Sequence, residues 1–170
     1  MPLHTTIRAE RSDDVAVIAE ITREAFRSQP YSSHTEHFII DALRSSSALS
    51  ISLVAETDAQ VVGHIAFSPV DISDGSQGWY GLGPVAVRSE FQGQGIGRAL
   101  IEHGLAALQK LDAQGCVLLG NPMFYGRFGF RNNTELVLEG VPQEYFLALT
   151  FSGESARGQV TYHEAFNARD

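Results

Sequence analysis

The chain has a single cysteine, Cys116, among its 170 residues, which excludes an intramolecular disulfide and a thiolate metal cage. It also lacks any lysine- or arginine-rich run, with 12 basic residues against 20 acidic ones for a formal net charge of −8. Binding a phosphate backbone requires clustered cations, so nucleic acid is not an expected partner. An acidic surface instead favours the approach of a cationic amine over that of an anion. No segment reaches the roughly 18 apolar residues of a membrane span, and the opening MPLHTTIRAE lacks the charged and apolar regions of a secretory signal. The expectation is therefore a cytoplasmic protein with no membrane partner. The six histidines show no paired spacing on one helical face. His34 and His37 read more simply as solvated or substrate-lining than as zinc ligands, and no metal is expected. No repeat, low-complexity tract or linker divides the chain, so residues 1–170 are read as one domain.

What is present is a regular alternation of periodicities. Residues 5–10 suit a first strand. Ser12 has the chemistry of an N-cap, with Asp13 and Asp14 favoured in the first helical turn. Val15, Ile18, Ala19, Thr22, Ala25 and Phe26 follow at helical spacing. RSQPYSSH (27–34) breaks that helix, and Ser33 with Glu36 has capping-box spacing before a second helix marked by Phe38, Ile39, Ala42 and Leu43. Residues 50–56 and 61–68 are β-branched and apolar, separated by the polar TDAQ, and predict an antiparallel hairpin. A loop at 73–78 leads to a strand at 82–87. Leu100, Ile101, Leu105 and Leu108 then give a helix over 97–111. CVLLG (116–120) suits a strand buried on both faces. A short helical piece starts at Pro122, and 145–151 and 158–166 read as two closing strands. Strand 82–87, helix 97–111 and strand 116–120 make a βαβ unit, whose strands should be parallel with a right-handed crossover. The fold class is a mixed α/β sheet with flanking helices, not a doubly wound parallel one.

Gly93, Gly95 and Gly97 stand at alternate positions where the helix after 82–87 must begin. Glycine weakens a helix, but a helix entrance without side chains lets unpaired backbone amides close on an anion. Residues 93–98 would then cup a phosphate, with Arg98 and Arg88 adding charge. The plainer reading is a tight strand-to-helix turn. A Walker loop is excluded because Gly97 is followed by Arg98 and Ala99 rather than Lys-Ser or Lys-Thr. The spacing G-x-G-x-G also departs from the G-x-G-x-x-G of a dinucleotide site.

QGQGIG (92–97) resembles the Q/R-x-x-G-x-G/A pyrophosphate loop of the GNAT superfamily of acetyl-CoA-dependent N-acetyltransferases. FYGRFGF (124–130) is similar to the second signature of that family. The order of elements agrees across nearly the whole chain, and VVGHIAFSPV, GLGPVAV, LLGNPMFYGRFGF and VTYHEAF look most like its YhbS-like branch. The resemblance implies a GNAT-type fold in which strands 82–87 and 116–120 splay apart to admit the pantetheine arm of acetyl-CoA. It implies cofactor contacts at Gln92, Gly93, Gln94, Gly95, Ile96, Gly97 and Arg98, and backbone pairing of Val85, Ala86 and Val87 with the arm. Pro84 has no N–H to donate and belongs where pairing is interrupted. A free amide near Val85 would polarise the thioester carbonyl.

The implied reaction is direct attack of a neutral amine on the thioester. Tyr125 is the candidate to protonate the departing thiolate; the alternative is that it packs beside Phe124, Phe128 and Phe130. Asn121 either bonds the arm or serves only as a turn residue before Pro122. Many relatives carry an acid on the strand equivalent to 82–87, and GLGPVAV has none. Glu56, His64, Asp71 and ordered water stay open as the base, and His64 in an apolar strand equally suits a hydrogen-bonded core position. Cys116 opens an apolar run and reads as a buried, inert thiol. By analogy RSQPYSSHTEHF lies over the acceptor end, with Tyr31, His34 and Glu36 as selectivity residues. The acceptor is a small-molecule or peptide amine, and monomer and homodimer are both open. A catalytically silent acyl-CoA sensor on the same fold is the competing expectation.

Overall fold

The computed structural model describes residues 4–151 and 155–170; the first three residues of MPLHTTIRAE lie outside them. In chain order the elements are β1 (Thr5–Ala9), α1 (Val15–Arg27), α2 (Glu36–Ser45), β2 (Ile51–Thr57), β3 (Gln60–Ile72) and β4 (Trp79–Val87). They continue with α3 (Ile96–Lys110), β5 (Gly115–Leu119), α4 (Pro122–Tyr125), β6 (Arg131–Asn132), β7 (Leu136–Val137), β8 (Phe146–Thr150) and β9 (Gly158–Tyr162). The sheet runs β1-β2-β3-β4-β5-β8-β6, with β9 on the far end of β3 and β7 on β9. All pairs are antiparallel except β4–β5 and β7–β9.

The expected hairpin forms between β2 and β3, and Asp58 and Ala59 turn it with φ of 50° and 64°. Two central residues at positive φ match the right-handed twist of the flanking strands. β3 is longer than its apolar run suggests, because its last residues, Val70–Ile72, pair with β9 instead of β4. α3 packs on one face, placing Leu100, Ile101 and Leu108 in a core with Phe67, Phe130 and Leu147. Burying each such side chain contributes about 1.5–3 kcal/mol. On the opposite face, Ile18 and Ile21 of α1 and Ile40 of α2 pack with Val54 and Ala86.

The β4–β5 pair determines where a ligand can enter. Its parallel register covers only Trp79–Gly115, Tyr80–Cys116 and Gly81–Val117. Beyond Gly81, β4 stays with β3 while β5 stays paired with β8 up to Leu119–Phe146. The cause is a bulge in β4. Ile65 faces Val85 and Phe67 faces Leu82, so β4 takes three steps where β3 takes two. Gly83 and Pro84, joined by a cis peptide, occupy the extra length. A bulge bends its strand and increases the local twist, and a residue without an N–H is tolerated there.

Several local expectations need correction. Ser12 does not cap α1: residues 12–14 form a 3-10 turn, and the Asp14 carboxylate accepts the Arg11 N–H at 2.7 Å. Asp14 also receives Arg8 at 2.7 Å, and that guanidinium holds its carboxyl below the usual carboxylate range. The Ser33–Glu36 capping box is absent. The Ser33 hydroxyl lies against that of Thr35, and Ser32 donates to Glu36 instead. The closing run 158–166 is strand only to Tyr162, then a 3-10 turn over Glu164–Asn167. The buried run in β5 stops at Leu118, and Leu119 is exposed at the lip of the splay. The short β6 and β7 have no alternating run in the sequence to announce them, since two residues are too few for a period.

Candidate active site

After β4, a 3-10 turn over Ser89–Phe91 leads into the glycine loop. Gly93 and Gly95 have φ of 76° and 86°, a left-handed conformation in which a side chain is strained. Gly95 is the N-cap of α3. The first helical bond runs from the Ala99 N–H to the Gly95 carbonyl at 3.0 Å, and among the described residues the N–H groups of 93–98 meet no backbone acceptor. Gln92, Gly93, Gly95, Ile96, Gly97 and Arg98 line a cavity of about 600 Å³. Gln94 is not on that wall; its side chain turns back to the Glu90 carbonyl. Gln92 braces the loop by donating to the Val87 carbonyl at 3.0 Å.

The charge around this cavity differs from expectation in one respect. Arg88 turns away, bonding the Val61 carbonyl at 3.3 Å and approaching Glu20 and Glu24 at 3.5 and 3.8 Å. Arg98 stays at the loop, ion-paired to Glu102 at 2.8 Å. The second cation on the wall is Arg127, whose guanidinium carbon lies 5.7 Å from the Phe124 ring centre. Arg127 lies inside the FYGRFGF stretch, but only the turn after α4 aims it across the loop.

A second cavity, of about 380 Å³, opens at the other end of the splay, with Leu82, Gly83 and Pro84 on one edge and Leu119 on the other. From Val87 at the first cavity to Gly83 at the second, the exposed edge of β4 spans about 13 Å. Val85 and Ala86 lie between the cavities and line neither. The Ala86 side chain is buried against α1, so only backbone of that stretch is available to a ligand.

Tyr125 follows β5 on α4. Its ring lies over Gly120, where an added Cβ would collide with it, and stacks edge-on to Phe124 and Phe130 at 4.9 and 6.1 Å. Burial pushes the phenol pKa up, so it stays protonated at neutral pH. It lines neither cavity wall. Asn121 caps α4, accepting the Met123 N–H at 2.8 Å, and among the described residues its amide NH₂ has no acceptor. Cys116 is fully buried and burial pushes its thiol up, as expected of an inert position. Tyr31 and His34 are exposed, and Glu36 lies on the second cavity.

None of the three side chains considered as a base lines either cavity. Glu56 is engaged by Arg8 at 2.8 Å, and Asp71 is exposed opposite Thr161. His64 is fully buried, next to Gly63 on β3 but on the opposite face, the side on which its neighbours Val54 and Ala86 pack with α1. Its Nε2 lies 2.7 Å from the Ser52 hydroxyl. Ser52 donates to Glu10, whose carboxylate is gripped by Arg44 at 2.9 Å. Nε2–H therefore donates to Ser52, and the buried Nδ1 has no partner among the described residues. Burial lowers the His64 pKa from 6.5 to about 4.

Because the unfolded chain binds this proton between pH 6.5 and 4 and the folded chain does not, stability is full above pH 6.5 and falls as the pH drops. Going from pH 7 to pH 5 should cost about 2 kcal/mol, seen as a melting temperature lower by roughly 4–8 °C. His64→Gln should flatten that interval. Melts of equal midpoint at the two pH values would show that His64 exchanges its proton freely in the fold.

Comparison with known proteins places the chain among acetyltransferases. Residues 48–132 match the family described as Acetyltransferase (GNAT) domain. The chain is similar to the uncharacterized N-acetyltransferase YhbS of Escherichia coli, 35% identical over 169 residues, which is 95% of this chain and 98% of the relative. Among solved structures it resembles a GNAT family acetyltransferase from Brucella melitensis in complex with acetyl-CoA, with a TM-score of 0.86 and 50% identity over 96% of this chain and 98% of that one. It likewise resembles YhbS from Escherichia coli in complex with CoA, with a TM-score of 0.88 and 32% identity over 97% and 93% of the two chains.

Proposed function

The chain belongs to the acetyltransferase (GNAT) family, and on that premise we propose that it transfers an acetyl group from acetyl-CoA directly to an acceptor amine. One observation carries the reading: the unpaired amides at the entrance of α3 and the open edge of β4 lie on one path between two cavities. That path fits the cosubstrate, because a diphosphate needs converging N–H groups and cations, and an amide-bearing arm needs a free strand edge. Similar chains of the same fold have been solved with acetyl-CoA or CoA.

In this reading the N–H groups of Gly93 to Arg98, with Arg98 and Arg127, hold the diphosphate. The backbone of Val85, Ala86 and Val87 pairs with the arm, and Asn121 donates its free amide to it. Acetyl-CoA supplies the activated thioester. The Val85 N–H stabilises charge developing on the carbonyl oxygen, Tyr125 gives its proton to the leaving sulfur, and water takes the proton that the attacking nitrogen loses and restores that of Tyr125.

The test is release of free thiol from acetyl-CoA in the presence of added amines, with the acetylated product identified by mass. Turnover dependent on amine is the expected result. Tight CoA binding with no turnover across the panel would favour an acyl-CoA sensor. Protection against melting by ATP or NAD but not by CoA would remove the assignment altogether.

A further inference from the structure

We infer that the acceptor is a small primary amine carried on an apolar, uncharged body, seated in the 380 Å³ cavity at the open end of the splay with its ammonium on Glu36. This rests on the acetyl-transfer reading above and adds the acceptor class to it.

Position comes first. The two lips of the splay, Leu82–Pro84 and Leu119, form part of this cavity, so an occupant lies directly against the gap at which the thioester would emerge. The walls come next. Phe26, Ile39, Tyr162 and Phe166 line it from α1, α2, β9 and the final 3-10 turn, a surface suited to an aryl or alkyl group. Tyr162 packs edge-on against Phe166 at 4.9 Å, and burial raises its phenol pKa far above the ordinary value, so this wall is uncharged.

The charge of the cavity selects within that class. Among the described residues its charged side chains are Glu36 and Glu139, and no lysine, arginine or histidine is on the wall. Glu36 is the first residue of α2, half-buried, and Ser32 donates its hydroxyl to the carboxylate at 2.6–2.8 Å. It is therefore a fixed acceptor for the incoming ammonium, which gives one N–H proton to water before the neutral nitrogen attacks the thioester. Glu139 is exposed at the rim and adds attraction for a cation on approach. A carboxylate or phosphate on the ligand body would meet two negative groups and no cation, which disfavours a free α-amino acid or a phosphorylated amine. A second ammonium would find only the water-exposed Glu139 at the rim, a weak partner that leaves it unpaired if drawn in among the apolar rings, which disfavours a short diamine.

The test compares phenethylamine, hexylamine, phenylalanine, putrescine and a lysine-containing peptide as acceptors at saturating acetyl-CoA. Phenethylamine and hexylamine should exceed the other three in kcat/KM by at least about 100-fold, about 2.7 kcal/mol of discrimination. Glu36→Gln should raise the amine KM by about 10-fold or more and leave the acetyl-CoA KM within about 2-fold, with Glu36→Asp recovering part of the loss. Preferred turnover of phenylalanine, putrescine or the peptide would overturn the acceptor assignment and leave acetyl transfer standing, as would an unchanged amine KM in Glu36→Gln. No turnover of any amine by CoA-binding protein would overturn both. The panel needs only the unaltered chain, so a variant that fails to fold does not remove the test.

Discussion

Replacing Gly97 with leucine should weaken CoA binding by at least about 100-fold while the protein folds and melts as before. Gly97 sits in the first turn of α3 with ordinary helical backbone, and a Cβ built there meets only Val87 Cγ2 at 3.9 Å. The fold accepts a side chain at this position, and removing a helix glycine recovers up to about 1 kcal/mol of propensity. The added branch projects into the cavity shared with Gly93 and Gly95 and keeps an anion off the amides. Losing two charge-assisted hydrogen bonds at about 1.5–3 kcal/mol each accounts for the expected loss. Gly95→Leu would be a poorer probe, because φ of 86° at that residue strains the backbone as well. Calorimetric titration with CoA and a melting curve separate the two effects, and unaltered affinity in Gly97→Leu would take the loop out of the binding site.

Tyr125→Phe should lower kcat by about 10²- to 10³-fold, within the usual range for a lost general acid, and leave the CoA dissociation constant within about 3-fold. Phenylalanine keeps the ring that covers Gly120 and stacks on Phe124 and Phe130; only the hydroxyl is lost. A packing role would therefore survive the substitution, and a proton-donating role would not. Since burial raises the phenol pKa, the wild-type group is protonated throughout the neutral range, so the variant should depress the rate uniformly there without a new inflection. Full activity in Tyr125→Phe would leave the residue as part of the aromatic cluster alone.

The glycine loop, the βαβ unit and the interruption at Pro84 were legible because each is written in neighbouring residues. Positive φ calls for glycine at 93 and 95, an apolar run of β5 length calls for a buried strand, and proline lacks the ladder donor. Capping was less legible. Ser12 and Ser33 have the right chemistry, but Arg8 from β1 draws Asp14 into place and Ser32 takes Glu36, competitions that spacing does not reveal. Arg88 and Arg127 illustrate the same point for charge. Arg88 precedes one signature stretch and Arg127 lies inside the other, yet α1 offers Glu20 and Glu24 to the first, while the turn after α4 delivers the second to the loop.

Family membership and the reaction class are carried by short, contiguous motifs, because the groups that would hold a diphosphate come from successive backbone units and need only the correct local turn. The 380 Å³ cavity at the open end of the splay has no such motif. Its wall joins Phe26, Glu36, Leu82, Leu119, Tyr162 and Phe166, residues separated by most of the chain, and their meeting depends on where the β4 bulge opens the sheet and how the last turn folds over α2. Side chains that share only a cavity have no common period or spacing, so their chemistry becomes visible only when the packed chain brings them to one place.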